Sequence, residues 1–209
     1  MSGKGAGARP RKTDRRVKRT RNALGDALIE LMQEKPFDEV TVQQVLDRAG
    51  IGRSTFYEHY AGKDDLFLSD VEEFFEMMAT TLERRGEKSN RVMPLREMLA
   101  HLLDVQPFFR ALMASGKVHD VMELGRGHFA RGIERRLETL PEGRKIGSLE
   151  RGLMANAFAG GAVALMFWWT REKRNTTPEE VDEIFHRMVW RGLSGANATN
   201  AAKISARGN

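Results

Sequence analysis

Apolar side chains recur at helical spacing along most of the chain, and no run of alternating β-branched residues predicts a strand. The spacing predicts a first helix that begins at Thr13 and is stopped by Lys35-Pro36-Phe37, because Pro36 disfavours helical conformation in the residue before it. Two short helices, over 41–49 and 53–60, are predicted next. The other predicted helices are a long one beginning near Lys63 and five more at 94–104, 107–114, 118–140, 148–171 and 178–192. We therefore predict an all-α protein of about nine helices.

The two short helices have clear start and stop signals. Thr41 and Gln44 have the spacing of a capping box, in which each side chain accepts a hydrogen bond from the backbone amide of the other. Gly50 can take the left-handed conformation that helix C-termini favour. Two short helices around a glycine turn, with a longer amphipathic helix before them, form a helix-turn-helix pattern. Short helix pairs are common in helical proteins, so the pattern alone leaves other functions open.

Basic residues are concentrated at the N-terminus. The first 21 residues contain nine Lys or Arg and one Asp, whereas the rest of the chain has 25 bases and 28 acids. Such a density predicts a polyanionic partner, either nucleic acid or an anionic membrane, although a solubilising tail has the same composition. Residues 1–12 are rich in glycine and bases, and we interpret them as a disordered basic arm. Next to a helix-turn-helix, this charge favours DNA as the partner.

A resemblance to a known family rests on residues 41–66, TVQQVLDRAGIGRSTFYEHYAGKDDL. This stretch resembles the DNA-binding signature of TetR/AcrR-type transcriptional regulators, with its alanine-glycine turn, its aromatic residues and a lysine that opens the fourth helix. Phe56 stands where the family usually has an aliphatic residue, Tyr60 where it has Phe, and Gly62 where a capping Ser is frequent. The resemblance covers about residues 14–68, and in the rest of the chain it extends only to the number and lengths of the helices.

The resemblance implies DNA contacts at residues of the second, third and fourth helices. Thr41 should cap its helix and touch a phosphate, and Lys63 should hold a phosphate at the start of the fourth helix. Arg53 is the best candidate to read a base, because Arg paired with guanine is the commonest specific contact. Gln43 is either a DNA contact or part of a solvated face. The full predicted DNA-binding set is Thr41, Gln43, Arg53, Ser54, Thr55, Tyr57, His59 and Lys63, with Phe56 and Tyr60 in the core.

The resemblance also implies a domain order and a dimer. We expect a basic arm at 1–12, a helix-turn-helix domain at 13–62, a helical ligand-binding and dimerisation domain at 63–193, and a disordered tail at 194–209. In this family the last two long helices form a four-helix interface with a second subunit, so two recognition helices would face a pseudo-palindromic operator. The candidate interface residues are Phe158, Trp168, Phe185 and Met188.

A small-molecule inducer is a further partner that the family implies. Eleven Met and eleven Phe could line an adaptable apolar pocket, although each one is better explained singly as ordinary core. The candidate ligand-binding residues are His101, Phe108, Met122, Asn156 and Phe158. We therefore predict a cytoplasmic, ligand-responsive repressor that binds double-stranded operator DNA as a homodimer.

Two other classes of protein fit parts of the sequence. Residues 152–170 carry no charge over a length near that of a membrane span, so a membrane-associated protein is the alternative. Asn156 and three glycines make this stretch only weakly hydrophobic, and its small residues suit a buried or interface helix, so we expect no membrane partner. Residues 125–130 fit a dinucleotide-binding motif without the strand that should precede it, and the chain has no Cys. We expect no enzymatic activity, no metal and no cofactor.

Overall fold

A computed structural model describes residues 12–172 and 176–207, with side chains over 15–172 and 176–192. The described residues form ten α-helices and two short 3₁₀ helices, with no strand among them, which confirms the predicted all-α fold. The α-helices are α1 (Lys12–Glu34), α2 (Val42–Ala49), α3 (Arg53–Tyr57), α4 (Lys63–Ala79), α5 (Thr81–Arg84), α6 (Leu95–Asp104), α7 (Gln106–Ala114), α8 (Val118–Thr139), α9 (Ser148–Glu172) and α10 (Pro178–Arg207). The 3₁₀ helices are Phe37–Glu39 and Gly143–Lys145.

The chain divides into two compact units. The N-terminal unit comprises the residues up to Asp70 together with Arg110–Ser115, and the C-terminal unit comprises Val71–Phe109 and the chain from Gly116 onward. The domain limit predicted between 62 and 63 falls at the start of α4, within the N-terminal unit. All the residues predicted to bind DNA therefore belong to one compact unit.

The N-terminal unit is organised around the apolar face of α1. Leu24, Leu28 and Leu31 recur at intervals of four and three residues and are at most 4% exposed, so they share one buried side of the helix. The ring of Phe37 lies 5.5 Å from that of Phe67 on α4. Burying such a side chain stabilises the fold by roughly 1.5–3 kcal/mol. The Phe37–Phe67 contact joins the first 3₁₀ helix to α4, while α1 packs against α2 and α2 against α3.

The C-terminal unit pairs α8 with α9. Its fully buried positions combine bulky residues on α8 with small ones on α9, which lets the two helices approach closely. These residues are Phe129, Ile133 and Leu137 on α8, and Ala155, Ala159 and Ala162 on α9. Ala155, Ala159 and Ala162 of the uncharged stretch therefore serve helix packing inside the C-terminal unit, whereas Ala157, Gly161 and Ala164 are exposed.

Two glycines of α8 allow α4 to pack closely against it. A Cβ atom at Gly125 would lie 2.8 Å from Cζ of Phe75, and one at Gly132 would lie 3.0 Å from the carbonyl oxygen of Ala79. Both distances are shorter than van der Waals contact, so any larger residue would displace the neighbour. The glycines of the dinucleotide-like motif at 125–130 thus lie within a helix, and Gly125 is explained by packing.

The polar segment between α5 and α6, which the sequence predicts as a linker, is held by side chains from distant helices. Nη2 of Arg136 donates to the carbonyl oxygens of Glu87 and Ser89, each at 2.7 Å. Nε1 of Trp190 donates to the carbonyl oxygen of Asn90 at 3.0 Å. Carbonyl groups of this segment, which are not bonded within a helix, are therefore satisfied by side chains.

A buried cluster of charges ties α10 to the start of α6. The guanidinium of Arg91 donates to both carboxylate oxygens of Asp182 at 2.9 Å and to Oε1 of Glu97 at 3.0 Å. The backbone amide of Arg96 adds a bond of 3.0 Å to Asp182. Burial raises the pKa of Glu97, but the hydrogen bonds from Arg91 outweigh it and hold that pKa at about 2. Burial likewise raises the pKa of Asp182, and the bonds from His186 and Arg91 lower it to about 2.

Two long helices, α4 and α10, end at other residues than the sequence predicts. The periodicity predicts α4 as far as Leu82, but α4 ends at Ala79, where the hydroxyl of Thr80 donates to the carbonyl oxygen of Glu76 at 2.9 Å. Such back-bonding by Thr competes with the helical pattern. The tail predicted as disordered from 194 is instead helical, because α10 continues to Arg207. Five of the residues over 194–207 are alanine, which has the highest helix propensity.

Candidate nucleic-acid interface

The N-terminus of α2 forms the predicted capping box. The amide of Gln44 donates to Oγ1 of Thr41 at 3.3 Å, and the amide of Thr41 donates to Oε1 of Gln44 at 3.0 Å. Thr41 is exposed. Because a hydroxyl can accept and donate at once, Thr41 keeps its hydrogen available for a phosphate oxygen while it caps the helix.

The turn between α2 and α3 depends on Gly50. Its φ of 64° and ψ of 33° lie in the left-handed region, and its amide donates to the carbonyl oxygen of Leu46. The amide of Ile51 donates to the same oxygen at 3.1 Å. Only glycine adopts this conformation without strain. The turn predicted from the sequence is confirmed.

The recognition helix α3 is fixed to the core by two aromatic side chains. Phe56 is fully buried and Tyr60 is 4% exposed, with their ring centroids 5.7 Å apart. The amides of His59 and Tyr60 both donate to the carbonyl oxygen of Phe56 at 2.9 Å, which closes a tight turn after the helix. The helix therefore ends at Tyr57, earlier than the predicted 60. Both aromatic residues occupy the core, as predicted.

The opposite face of α3 carries polar residues in contact with water. Arg53 and Ser54 are exposed, and Thr55 and His59 are half-buried. Tyr57 is 52% exposed, and its ring lies edge-on to Phe56 at 5.2 Å, which restrains it. A helix with a buried aromatic anchor and an exposed polar face can place side chains against base edges in a major groove.

A chain of hydrogen bonds connects α2 to Arg53. Nε2 of Gln43 donates to Oδ1 of Asp47 at 2.8 Å, and Nη2 of Arg53 donates to Oε1 of Gln43 at 3.3 Å. All three side chains are exposed. Gln43 is thus placed next to Arg53 on the same surface.

The bases of α1 separate into two groups. Arg15, Arg16, Lys18 and Arg19 are exposed, while residues 1–11 of the basic arm lie outside the described residues. Arg21 is half-buried instead: Nε donates to the hydroxyl of Tyr60 at 3.0 Å and Nη2 to Oγ of Ser69 at 2.8 Å. The charge pattern does not predict these bonds of Arg21, because nothing in the neighbouring sequence distinguishes a base with an internal partner from an exposed one.

The ammonium of Lys63, which is predicted to hold a phosphate, bonds to backbone carbonyl oxygens in this structure. Its Nζ donates to the carbonyl oxygens of Phe37 at 2.7 Å, Val40 at 2.8 Å and Asp38 at 3.2 Å. An ammonium has three hydrogens, so these bonds account for all of them. These bonds lie inside the N-terminal unit, and the phosphate contact of Lys63 stays a prediction.

The five predicted ligand-binding residues differ in exposure. His101, Phe108, Met122 and Phe158 are half-buried, and Asn156 is exposed. His101 lies 4.6 Å from the ring of Phe74, and burial lowers its pKa. Nδ2 of Asn156 donates to the carbonyl oxygen of Gly152 at 2.9 Å. Their assignment to a ligand stays a prediction.

The four predicted interface residues fall on both sides of the helices that carry them. Trp168 is 44% exposed and Met188 is 52% exposed, whereas Phe185 is 3% exposed and packs edge-on to half-buried Phe158. Phe185 therefore belongs to the interior of its own subunit. Further exposed apolar residues, outside the predicted set, lie on the same two helices: Leu149, Leu153 and Ile184.

Two further findings concern membranes and metals. Of the described helices, α9 alone is long and apolar enough to cross a membrane, with a third of that stretch buried inside the subunit. Core helices of soluble proteins can have the same length and apolar composition. The described part of the chain holds no group of three or more His, Asp or Glu residues placed to bind a metal ion.

The helix-turn-helix, its exposed polar helix and the adjacent basic helix are typical of a DNA-binding domain. Residues 24–69 match the family model described as bacterial regulatory proteins, tetR family. Residues 24–69 thus resemble the helix-turn-helix domain of the TetR family, and solved TetR regulators share the fold of most of the chain.

Individual relatives match part of the chain, and a solved structure matches most of it. The uncharacterized HTH-type regulator YxbF of Bacillus subtilis is 38% identical over 60 residues, which are 28% of this chain and 16% of YxbF. The HTH-type regulator TcmR of Streptomyces glaucescens is 29% identical over 106 residues, which are 51% of this chain and 42% of TcmR. The chain thus matches less than half the length of either protein. A TetR regulator from Streptococcus agalactiae shares the fold over 85% of this chain and 97% of its own, with a TM-score of 0.57 and 24% identity.

Proposed function

We propose that this protein is a cytoplasmic, ligand-responsive repressor that binds a pseudo-palindromic operator as a homodimer. The observation that carries the proposal is the recognition helix, which exposes Arg53 and Tyr57 while Phe56 holds it in the core. Four exposed bases on α1 belong to the same compact unit. This combination supports base contacts from α3 and phosphate contacts from α1.

Operator binding is tested by selecting bound fragments from the source genome with the full chain. The Arg53→Ala variant should bind the selected fragment more weakly by about 1–3 kcal/mol and lose its preference at one base position. Arg84→Ala is the matched control, because Arg84 is an exposed arginine of the C-terminal unit. An Arg53→Ala variant with the wild-type affinity and sequence preference would contradict the proposal.

A homodimer is supported by the apolar residues that α9 and α10 leave in water. Leu149 is 77% exposed, Leu153 is 64% exposed, and Trp168 and Met188 are about half exposed. Several exposed apolar residues on two adjacent helices of the sequence favour a protein partner. Leu153→Glu should shift the full chain from dimer to monomer in sedimentation equilibrium. Leu103→Glu, a change at a 52% exposed leucine of α6, should leave the dimer intact.

An inducer must bind the DNA-incompetent state more tightly, since equal affinity for both states shifts nothing. Half-buried His101, Phe108 and Met122 in the C-terminal unit are the residues we assign to an apolar ligand. A small apolar compound that raises the Tm of the full chain and also releases the operator supports this role. Compounds that raise the Tm while operator affinity stays constant speak against it.

A membrane-associated protein is the second candidate, and the apolar length of α9 favours it. In a flotation experiment with vesicles of uncharged phosphatidylcholine, which the basic residues do not attract, this candidate predicts that the chain rises with the lipid in the absence of DNA. A regulator predicts that the chain stays in the aqueous fraction. In that case the Leu153→Glu variant should stay there as well.

A further inference from the structure

The internal position of Lys63 suggests a function other than contact with DNA. Its ammonium lies within 2.7–3.2 Å of three backbone carbonyl oxygens, and it lies 4.6 Å from the ring centroid of Phe37. Phe37 is itself 2% exposed. A cation over an aromatic face adds to the attraction of the carbonyl dipoles. Lys63 is therefore bonded to the interior of the N-terminal unit.

The three carbonyls belong to Phe37 and Asp38 of the 3₁₀ helix Phe37–Glu39 and to Val40, the residue that caps its C-terminus. Helix C-termini leave carbonyl groups without intrahelical partners, and these groups carry partial negative charge. In this turn the amide of Val40 bonds to the carbonyl oxygen of Phe37 at 3.1 Å. Lys63 supplies donors to this oxygen and to two others.

Lys63 occupies an unfavourable position in its own helix. It is the first residue of α4, where the helix dipole disfavours a cation. The next two residues, Asp64 and Asp65, are of the type that this end favours, and Oδ2 of Asp65 accepts from the amide of Ala61 at 2.8 Å. A lysine at this position needs compensation, which the three carbonyls provide.

We propose that Lys63 is a positioning residue that clamps together the two ends of the helix-turn-helix. One end is the segment before α2, since Val40 directly precedes the cap Thr41. The other end is the start of α4, which follows the turn after α3. The clamp fixes the N-terminus of α2 relative to α3 and leaves no donor for a phosphate. It rests on the proposed function, because it serves operator binding.

The dependence of operator affinity on salt distinguishes a clamp from a phosphate contact. Each neutralised phosphate contributes about 0.9 to the slope of log affinity against log salt. For full-length Lys63→Met on the fragment selected with the wild type, we expect roughly tenfold weaker binding, a lower Tm and an unchanged slope. Lys63→Arg should restore neither the operator affinity nor the Tm, because a planar guanidinium cannot direct three hydrogens from one nitrogen at these oxygens. A slope reduced by about 0.9, an unchanged Tm and rescue by Lys63→Arg would overturn the clamp.

Lys18→Met is the matched control, since Lys18 is an exposed lysine of the same unit and its loss should leave the Tm unchanged. A second measurement needs no folded variant: the ¹⁵N signal of the Lys63 ammonium in the wild-type chain. The clamp predicts a slowly exchanging signal without DNA that persists in the complex and shows no coupling to phosphorus. A rapidly exchanging signal, or coupling to a DNA phosphate, would overturn it. A wild type that selects no DNA refutes the proposed function, while the signal in the protein alone still tests the clamp geometry.

Discussion

The two units use their charged residues in opposite ways. In the N-terminal unit Arg15, Arg16, Lys18, Arg19 and Arg53 are exposed to water. In the C-terminal unit the side chains of Arg91, Glu97 and Asp182 are only 13%, 15% and 9% exposed and bond to one another. Exposed charges keep their hydration until a partner replaces it, whereas buried charges must be paired inside the fold. The contrast lies between bases that are exposed to a partner, which we propose is DNA, and charges that are paired inside the fold.

Arg21 and Lys63 show that the division follows burial as well as position in the chain. Both belong to the N-terminal unit, yet both spend their donors on groups of that unit, Arg21 on Tyr60 and Ser69 and Lys63 on three carbonyls. Arg21 and Lys63 thus connect the helices of the unit that carries the exposed bases. A basic residue near the DNA-binding surface is therefore not by itself a DNA contact.

The largest effect should come from Arg91→Met, which removes the cation from the buried cluster. Glu97 and Asp182 would then be buried without their partner, and we expect a loss of about 3–5 kcal/mol in the free energy of unfolding. Urea unfolding followed by circular dichroism measures it. Arg96→Met is the control, because the Arg96 side chain is 44% exposed and bonds only at the rim of the cluster. Equal losses in the two variants would refute the contrast between buried and exposed charges.

The pH dependence of stability should come next in size. The pKa of Glu97 falls from 4.5 to about 2 and that of Asp182 from 3.8 to about 2 on folding. Because the folded values are the lower ones, this stabilisation is complete above about pH 5 and disappears as the pH falls towards 2. We expect a loss of the order of 3 kcal/mol over that interval. In Arg91→Met the same interval should be flatter, and parallel curves for the two proteins would exclude the cluster as the source.

The helix-turn-helix could be predicted because its determinants are local. The capping box joins residues three apart, and Gly50 fixes the turn by its own conformational freedom. Phe56 and Tyr60 follow from their spacing on a short helix. Each of these features depends on neighbours in sequence, so the residues suffice to place them.

The internal contacts could not be predicted because their partners are far apart in sequence. Arg91 and Asp182 are separated by 91 residues, and Lys63 reaches back 26 residues to Phe37. No pattern around Lys63 distinguishes a phosphate contact from a carbonyl contact. Phe185 and Met188 illustrate the same limit on one helix, since both are apolar and only packing shows that the first is 3% and the second 52% exposed.

Two glycines of α8 sharpen the comparison at the level of packing, with a smaller effect. A Cβ at Gly125 would lie 2.8 Å from Phe75, whereas one at Gly127 would lie 3.5 Å from the mobile end of Arg131. Gly125→Ala should destabilise by about 1–2 kcal/mol, because overpacking exceeds the gain in helix propensity. Gly127→Ala should stabilise by about 0.5–1 kcal/mol. Thermal unfolding of the two variants should therefore shift the Tm in opposite directions, and shifts of the same sign would contradict the close approach of α4.

The smallest effect is expected for Arg48→Met, the exposed counterpart of Arg91→Met. Arg48 on α2 bonds Glu34 at 2.9 Å and Glu30 at 3.2 Å on α1, and the side-chain hydrogen bond from Arg48 lowers the pKa of Glu34. These carboxylates are more than half exposed, so water and salt replace the arginine readily. The variant should lose little stability at about 0.1 M salt and still less at about 1 M, where exposed pairs are screened. A loss as large as that of Arg91→Met, or one independent of salt, would show that the N-terminal unit also relies on its exposed charges for architecture.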